Sequence, residues 1–276
     1  MAFFETHFPT EWPRWAMMWE LALAIYAGLK FLTWKTSKTR AAAWKQTAYL
    51  LAWPGMDADA FLGAPVDSVR RPSLGEWIFA LAKLSLGLAL SRMAIAGVEG
   101  DNARLWAWIG GVGIVFILHF GLFHLLSCVW RRVGRPAIPL MNWPIAAESL
   151  AEFWGRRWNL AFRDVTHRFL FRPLRRRWGA TAALLSAFLI SGLVHDLVIS
   201  VPAGGGWGLP TLYFLIQGFS LLAERSTWGR SAGLGRGIEG RVFCAAVLLV
   251  PIPLLFHDVF IDCVLIPFLR ALGSFW

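Results

Sequence analysis

Two polar clusters in an otherwise apolar chain have the residue types that chemistry needs. The first is the stretch Glu152–Asn159, and the second is Ser191–Asp196, further along the chain. A histidine and an aspartate inside an apolar segment cost several kcal/mol unless they are paired or face an aqueous cavity. Taken together, the two clusters therefore indicate an active site.

The residue types suggest how such a site would work. A neutral imidazole at His195 can act as a general base toward a hydroxyl, although a histidine in an apolar segment is more often simply packed and hydrogen-bonded. Asn159 lies near an apolar stripe, so we expect its amide either to position an acyl carbonyl or to donate a hydrogen bond to a developing oxyanion. Ser191 and Gly192 permit the close approach of another helix or a ligand. On a helix, Asp196 projects about 100° away from His195, so it either pairs with an arginine or reaches the far interface.

The elements that must position these residues are membrane helices. The 276 residues are 57% hydrophobic and 16% charged, with several apolar runs as long as the roughly 20 residues that a bilayer-spanning helix requires. This predicts an all-α, polytopic integral membrane protein with about six to eight membrane helices. The candidate spans are Trp15–Trp34, Leu74–Val98, Leu105–Trp130, Ala180–Val201, Trp207–Ala223 and Val242–Val259, and a last apolar stretch, Ile261–Phe275, is too short to assign.

Two further segments are apolar without being spans. Trp44–Leu62 is broken at Pro54–Gly55, which predicts a re-entrant or interfacial hairpin. Ser149–Phe171 carries apolar residues at a helical period with a basic opposite face, which predicts a cytoplasmic amphipathic helix lying in the interface plane. Ser149 is its expected N-cap, with Glu152 completing a capping box. An amphipathic anchor without any chemistry would show the same periodicity.

Charge predicts the topology. Of the 27 Lys and Arg residues, 21 fall in three loops on the same side of the predicted spans. The positive-inside rule places these loops in the cytoplasm and the N-terminus outside. The net charge of +10 is then a topology signal, and we expect no nucleic-acid partner. The three cysteines form no metal or redox spacing, and we expect no metal site.

The residue sequences of the two clusters resemble the motifs of a known family. Ser149–Leu150, the block FWGRRWN at Phe153–Asn159 and the block SGLVHD at Ser191–Asp196 are similar to the wax synthase branch of the membrane-bound O-acyltransferases. Gln217–Gly218, with Glu224 at the end of the fifth span, and, more loosely, Trp53–Asp57 also resemble that family. The chain departs from it in carrying Asp196 where plant relatives usually have Glu, and in being short for the superfamily, which implies fewer helices and a reduced acceptor chamber.

The resemblance implies a single membrane-embedded acyltransferase domain over residues 1–276, with 139–224 as its core. It implies a catalytic His195, a functionally important Asn159, and acyl-CoA as a co-substrate that arrives from the cytoplasm; no other cofactor is expected. Basic side chains would attract the CoA phosphates. These are Arg156, Arg157, Arg163, Arg168 and Arg172. The remaining expected substrate-binding residues are Trp154, Trp158, Ser191, Asp196 and Gln217.

The expected reaction esterifies a lipid alcohol, with a long-chain fatty alcohol yielding a wax ester. Diacylglycerol or a sterol is an alternative acceptor, and a non-enzymatic transporter or scaffold is the alternative from another class. The expected partners are acyl-CoA, a hydrophobic alcohol and membrane lipid, and the sequence determines no oligomeric state. A bias toward Ala, Arg, Gly and Trp favours a bacterial inner membrane, or the endoplasmic reticulum membrane if the source is eukaryotic. His119 and His124 in the third span are expected to pack or to line a tunnel.

Overall fold

The computed structural model describes residues 12–63 and 69–274, and this part of the chain is helical with no strand. The first helices are α1 (Arg14–Lys35), α2 (Ala43–Ala52), α3 (Ala58–Leu62), α4 (Leu74–Gly97) and α5 (Ala103–Arg132). The middle contains α6 (Leu150–Glu152), α7 (Leu160–Thr166), α8 (Arg172–His195) and α9 (Val201–Ala203). The last are α10 (Leu209–Arg225), α11 (Thr227–Ser231), α12 (Gly237–Leu249), α13 (Ile252–Leu255), α14 (Asp258–Phe260) and α15 (Ile266–Gly273).

Five helical segments of the described chain are long and apolar enough to cross a membrane. They are Arg14–Lys35, Leu74–Gly97, Ala103–Arg132, Leu160–Ala203 and Gly237–Leu255. The predicted span Trp207–Ala223 forms the 17-residue helix α10. The all-α, polytopic membrane fold is thus confirmed, whereas a total of six to eight membrane helices stays a prediction. Phe275, at the end of the unassigned apolar stretch, lies outside the described residues.

The apolar segment Trp44–Leu62 is broken where its sequence predicts. Helices α2 and α3 are separated by residues 53–57, and Asp57 caps α3 by accepting from the amide of Ala60 at 3.0 Å. Lys30 of α1 is buried and donates to the carbonyl of Gly55, while its ammonium lies 3.4 Å from the centre of the Tyr49 ring. Protein groups therefore satisfy the backbone that the break exposes, as an apolar environment requires.

The predicted amphipathic helix Ser149–Phe171 is wrong as one continuous helix. A π-helical turn (Phe153–Arg157) follows α6, and the chain then breaks at Asn159, whose φ of 42° lies in the left-handed region. Two hydrogen bonds to a distant segment stabilise the break. The amide of Leu160 donates to the carbonyl of Leu140 at 3.0 Å, and the amide of Asn142 donates to the carbonyl of Arg157 at 2.8 Å. Helical periodicity does not register this pairing, since it depends on a different part of the chain.

Gly179 separates the interfacial part of α8 from its spanning part. With φ at 81° and ψ at 174°, this residue kinks the helix, and its conformation favours glycine because no Cβ has to be accommodated. The apolar run starts at the next residue, Ala180, where the sequence predicts that the span begins. At about 1.5 Å per residue, His195 then lies about 22 Å along the span.

Helices α4 and α5 pack at backbone contact distance. A Cβ on Gly87 of α4 would lie 2.6 Å from the amide nitrogen of Ile117, and one on Gly121 of α5 would lie 2.8 Å from the Cα of Leu84. Small residues at such crossings let membrane helices approach closely. The contact involves the π-helical turn Phe116–Leu122 inside α5, so the rotation of this turn is fixed against α4.

Candidate active site

His195 is the last residue of α8, and its local contacts determine which nitrogen is free. Nδ1 lies 2.7 Å from the carbonyl oxygen of Ser191, one turn earlier in the same helix. Because a carbonyl only accepts, Nδ1 carries the hydrogen and the lone pair is on Nε2. Nε2 has no hydrogen-bond partner among the described residues, so it is available to accept a proton from a ligand.

The close approach of α10 positions the imidazole. A Cβ on Gly192 would lie 2.6 Å from the Cα of Thr211, so the small residue predicted to permit helix contact does so here. The ring of Phe214, one turn along α10, then lies 4.4 Å from the His195 ring, centroid to centroid. Ser191 contributes its carbonyl to His195, whereas its predicted substrate contact stays untested.

Asp196 begins a π-helical turn (Asp196–Ser200) and binds the start of α10. Its carboxylate accepts from the amides of Gly208 at 2.8 Å and Thr211 at 3.0 Å, and also from the Thr211 hydroxyl. The Ser200 hydroxyl donates to it at 2.9 Å. Neither expected arrangement describes this carboxylate fully, since its partners are a helix N-terminus and two hydroxyls, with no arginine among the described residues.

A row of aromatic rings connects the two polar clusters. Trp154 of the first cluster lies 5.9 Å from Phe214, which contacts His195. Phe153 continues the row, 5.1 Å from Trp154 and stacked on Trp158 at 5.5 Å with an interplanar angle of 13°. Two predicted substrate-binding residues, Trp154 and Trp158, thus belong to one continuous wall that ends at the candidate base.

Asn159 contributes only part of its amide to the fold. As the N-cap of α7, its Oδ1 accepts from the amide of Phe162 at 3.4 Å, and its backbone amide lies 3.2 Å from the sulfur of Met141. In the described structure its Nδ2 makes no hydrogen bond, to His195 or to any other group. The side chain therefore has donor hydrogens to offer, which suits either of the two roles expected for it.

The arginines expected near CoA phosphates fall into two groups. Arg157 donates to Glu152 at 2.6 Å and to the carbonyl of Trp143 at 3.0 Å, so it serves the fold. Arg163 and Arg168 are likewise engaged, with Asp164 and with the carbonyl of Thr36. Arg156 and Arg172 are exposed, and their guanidinium groups make no hydrogen bond or ion pair with the described residues. These two remain free to meet an anionic ligand.

The block is also anchored at its start. The Ser149 hydroxyl accepts from the amide of Glu152 at 3.0 Å, which confirms the predicted N-cap. The Glu152 carboxylate in turn accepts from the backbone amide of Glu148 at 2.9 Å, and not from that of Ser149 as a capping box requires. The Glu148 amide and the Arg157 guanidinium hold the pKa of the Glu152 carboxyl below its usual range.

The sequence did not predict two contacts that α10 makes with the site. The Glu224 carboxylate accepts from the amides of Leu150 at 2.6 Å and Ala151 at 3.2 Å, thereby fixing the block to this helix. Phe214 supplies the ring against His195. The spacing of Phe214, Gln217 and Glu224, by three and then seven residues, could have predicted that these side chains lie on one face of a helix.

Gln217 is fully buried one turn from Phe214. Its Nε2 donates to the carbonyl of Val247 at 2.8 Å, whereas its Oε1 is sealed from solvent and has no partner among the described residues. The predicted substrate contact of this side chain stays a prediction.

One group of described side chains has the composition of a metal site. Single ligand atoms of Glu76, His124 and Cys128 lie within 4.8 Å of one another. Arg131 donates to Glu76, and the Lys83 ammonium lies 2.7 Å from Nδ1 of His124. Two cationic side chains thus already partner this group, which makes it an internal ion-pair network between α4 and the last turns of α5.

Comparison with known proteins matches this region to one family. Residues 137–216 match the model of the membrane bound O-acyl transferase family. The long-chain-alcohol O-fatty-acyltransferase of Simmondsia chinensis is 40% identical over 129 residues, covering 41% of this chain and 36% of that protein. The probable long-chain-alcohol O-fatty-acyltransferase 6 of Arabidopsis thaliana is 27% identical over 157 residues, 54% of this chain and 45% of the relative.

A third relative carries a different acceptor in its name. The acyl-CoA–sterol O-acyltransferase 1 of Arabidopsis thaliana is 30% identical over 122 residues, which are 41% of this chain and 35% of that protein. The chain spans less than half the length of each of these relatives. The matched segment nevertheless contains both polar clusters and the aromatic row between them, so this part of the chain is similar to the membrane bound O-acyl transferase family and to its long-chain-alcohol O-fatty-acyltransferases.

Proposed function

We propose that this protein is an acyl-CoA-dependent O-acyltransferase that esterifies a lipid alcohol, with a long-chain fatty alcohol as the acceptor. The observation that carries the proposal is the tautomer of His195. Its Nδ1 hydrogen is committed to the Ser191 carbonyl at 2.7 Å, so the Nε2 lone pair is presented in a membrane helix, where a lipid hydroxyl would arrive. The names of the relatives support the choice of acceptor.

The proposed reaction is a direct transfer. Nε2 of His195 takes the hydroxyl proton while the alcohol oxygen attacks the thioester carbon, and collapse of the tetrahedral species breaks the carbon–sulfur bond. The proton on His195 then passes to the leaving CoA thiolate, so an ester and free CoA result. Asn159 donates from Nδ2 to the acyl oxygen, where charge develops. These steps use acyl-CoA as co-substrate and require no metal or covalent acyl-enzyme.

Charge and topology support the route of the acyl donor. Arg156 and Arg172 are exposed on the basic segment that the positive-inside rule places in the cytoplasm, where acyl-CoA is available. The reactive group would have to extend about 22 Å into the membrane to reach His195, so the proposal includes a deep passage that is lined by the aromatic row at the level of His195.

The protein is an integral membrane protein, and its compartment belongs to the proposal. The composition of the chain favours a bacterial inner membrane, whereas its plant relatives favour the endoplasmic reticulum membrane. Fractionation of native cells with the untagged protein would distinguish the two.

An acceptor panel tests the proposed reaction. Purified protein in detergent would be mixed with a long-chain acyl-CoA and a fatty alcohol, a diacylglycerol or a sterol, and free CoA and ester would be measured. We expect the fatty alcohol to give the fastest release of CoA. If no hydroxyl acceptor supports release, the activity is wrong and a transport or scaffold role gains support.

A matched pair of histidine variants tests the base. His195→Ala should abolish ester formation, while His167→Ala, which removes an exposed histidine of the interfacial segment, should not. Both variants should elute and melt like the wild type. Wild-type turnover in His195→Ala would overturn the assignment of the base.

A further inference from the structure

His119 has ring contacts but no polar partner. It lies in the π-helical turn of α5 and stacks on Trp158 with centroids 6.4 Å apart and an interplanar angle of 13°. The centroid of the Phe123 ring lies 5.3 Å from that of the imidazole, with the two planes inclined by 63°. Its Nδ1 is sealed from solvent and has no hydrogen-bond partner among the described residues. Phe would make the same ring contacts without burying an unpaired nitrogen, which costs about 1–3 kcal/mol.

The local backbone sets this residue apart as well. π-helical turns are rare and are frequent at functional sites. Of the five π-helical turns in the described residues, one contains His119, another contains Trp154 and a third directly follows His195, while the other two are His167–Phe171 and Ile261–Leu265. The turn with His119 is also held against α4 by the glycine contacts at Gly87 and Gly121, so the direction of the imidazole is fixed.

Depth places the two histidines at the same level of the membrane. At about 1.5 Å per residue, His119 lies about 20 Å from the cytoplasmic end of α5 at Arg132, and His195 lies about 22 Å from Ala180. They stand at the two ends of the aromatic row, because His119 contacts Trp158 and His195 contacts Phe214. A reactive group that reaches the depth of His195 therefore reaches the depth of His119.

The tautomer of His119 follows from its sealed nitrogen. An unsatisfied buried acceptor is tolerated better than an unsatisfied buried N–H, so the hydrogen belongs on Nε2, which is not sealed. His195 and His119 then present opposite functions, a lone pair on one and a hydrogen on the other. In the proposed reaction the hydroxyl needs the lone pair, and the acyl oxygen needs a donor.

We propose that His119 contacts the substrate and donates from Nε2 to the carbonyl oxygen of the bound acyl thioester. It acts beside Asn159, the residue that follows its stacking partner Trp158. Neutral histidine and asparagine side chains are suitable donors to an oxyanion in a dry site. This inference rests on the proposed acyl transfer but assigns a residue that the transfer itself does not require.

Two CoA conjugates of equal chain length test the inference without turnover. One is an S-alkyl thioether that lacks the carbonyl, and the other is a ketone analogue in which methylene replaces the sulfur. His119→Phe keeps the ring for stacking on Trp158 and removes both nitrogens. We expect it to weaken binding of the ketone roughly three- to tenfold and to leave thioether binding unchanged.

Further variants separate packing from hydrogen bonding. Phe123→Leu changes the packing around His119 and should weaken both conjugates alike, if at all. His119→Gln supplies an amide donor and should recover part of the ketone affinity, and His119→Met repeats the test if Phe is not tolerated. Ester formation by His119→Phe should fall by on the order of 100-fold, with unchanged or higher Tm.

The outcomes separate the two proposals. If the apolar variants at residue 119 weaken both conjugates equally, or weaken neither, His119 is a packing residue and the inference is wrong. If the wild type binds neither conjugate and forms no ester, the proposed function itself fails. Selective loss of ketone binding establishes the donor even where the natural alcohol is still unidentified.

Discussion

The imidazole of His195 rests against the phenyl ring of Phe214, with centroids 4.4 Å apart and planes inclined by 41°. The two rings come from different helices, and Asp196 binds the start of the Phe214 helix through both amide and hydroxyl donors of Thr211. One ring contact and one carboxylate therefore fix the direction of the candidate base from adjacent positions. Such support by neighbouring groups is what holds a catalytic side chain in a productive geometry.

Replacing the phenyl ring of Phe214 with a smaller side chain should lower kcat more than it raises KM. In Phe214→Leu the imidazole loses its neighbour and can shift by about 1 Å, which we expect to lower kcat roughly tenfold while KM stays within about twofold. Phe219→Leu is the matched control, because Phe219 belongs to the same helix and is 57% exposed. Steady-state kinetics of both variants decide the matter, and equal kcat values would show that Phe214 does not position His195.

Neighbouring arginines should give opposite phenotypes. Arg156→Ala removes an exposed guanidinium that makes no hydrogen bond with the described residues, so KM for acyl-CoA should rise about three- to tenfold and the rise should shrink with added salt. Arg157→Ala removes the partner of Glu152 and of the Trp143 carbonyl, so it should lower the free energy of unfolding by about 1–3 kcal/mol. Kinetics at two salt concentrations and melting curves in detergent measure both effects. An unchanged KM in Arg156→Ala would remove this residue from the donor site.

Replacing the carboxylate of Asp196 should destabilise the helix pair. Asp196→Asn turns an NH2 group toward N–H and O–H donors, and we expect a loss of about 2–3 kcal/mol together with reduced kcat. Asp101→Asn, on an exposed turn, is the control. Melting curves and kinetics are the readouts. A variant that melts like the wild type but shows a raised KM would instead support the predicted substrate contact of Asp196.

Acid should act on the first cluster through Glu152. Its folded-state pKa lies below the ordinary value of 4.5, so its contribution to stability is present above about pH 4.5 and is lost as the pH falls through the folded-state pKa. The Tm of the wild type should therefore drop more steeply below about pH 4.5 than that of Glu152→Gln, which has no carboxyl to protonate. Parallel Tm profiles for the two proteins would show that the Glu152 carboxylate does not stabilise the fold.

The sequence by itself determined the membrane class, the position of most helices and the two clusters of the site. Apolar runs of spanning length follow directly from the requirement that a helix satisfy its own backbone in lipid, so they can be recognised without a fold. The same is true of the break between α2 and α3, because Pro54 and Gly55 interrupt a helix locally. The Ser149 cap was likewise local, since it involves a bond across only three residues.

Tertiary structure decided how these parts meet. Leu140 and Asn142 split the expected amphipathic helix at Asn159, and Glu224 reaches back to Leu150 across 74 positions of the chain. The same packing places Phe214 against His195 and pairs Arg157 with Glu152 and the Trp143 carbonyl. Helical periodicity reports only which face of a segment is apolar. Which donor meets which acceptor across distant segments depends on the packing of the helices, and that is why the chemistry of the clusters was visible in the sequence while their mutual arrangement was not.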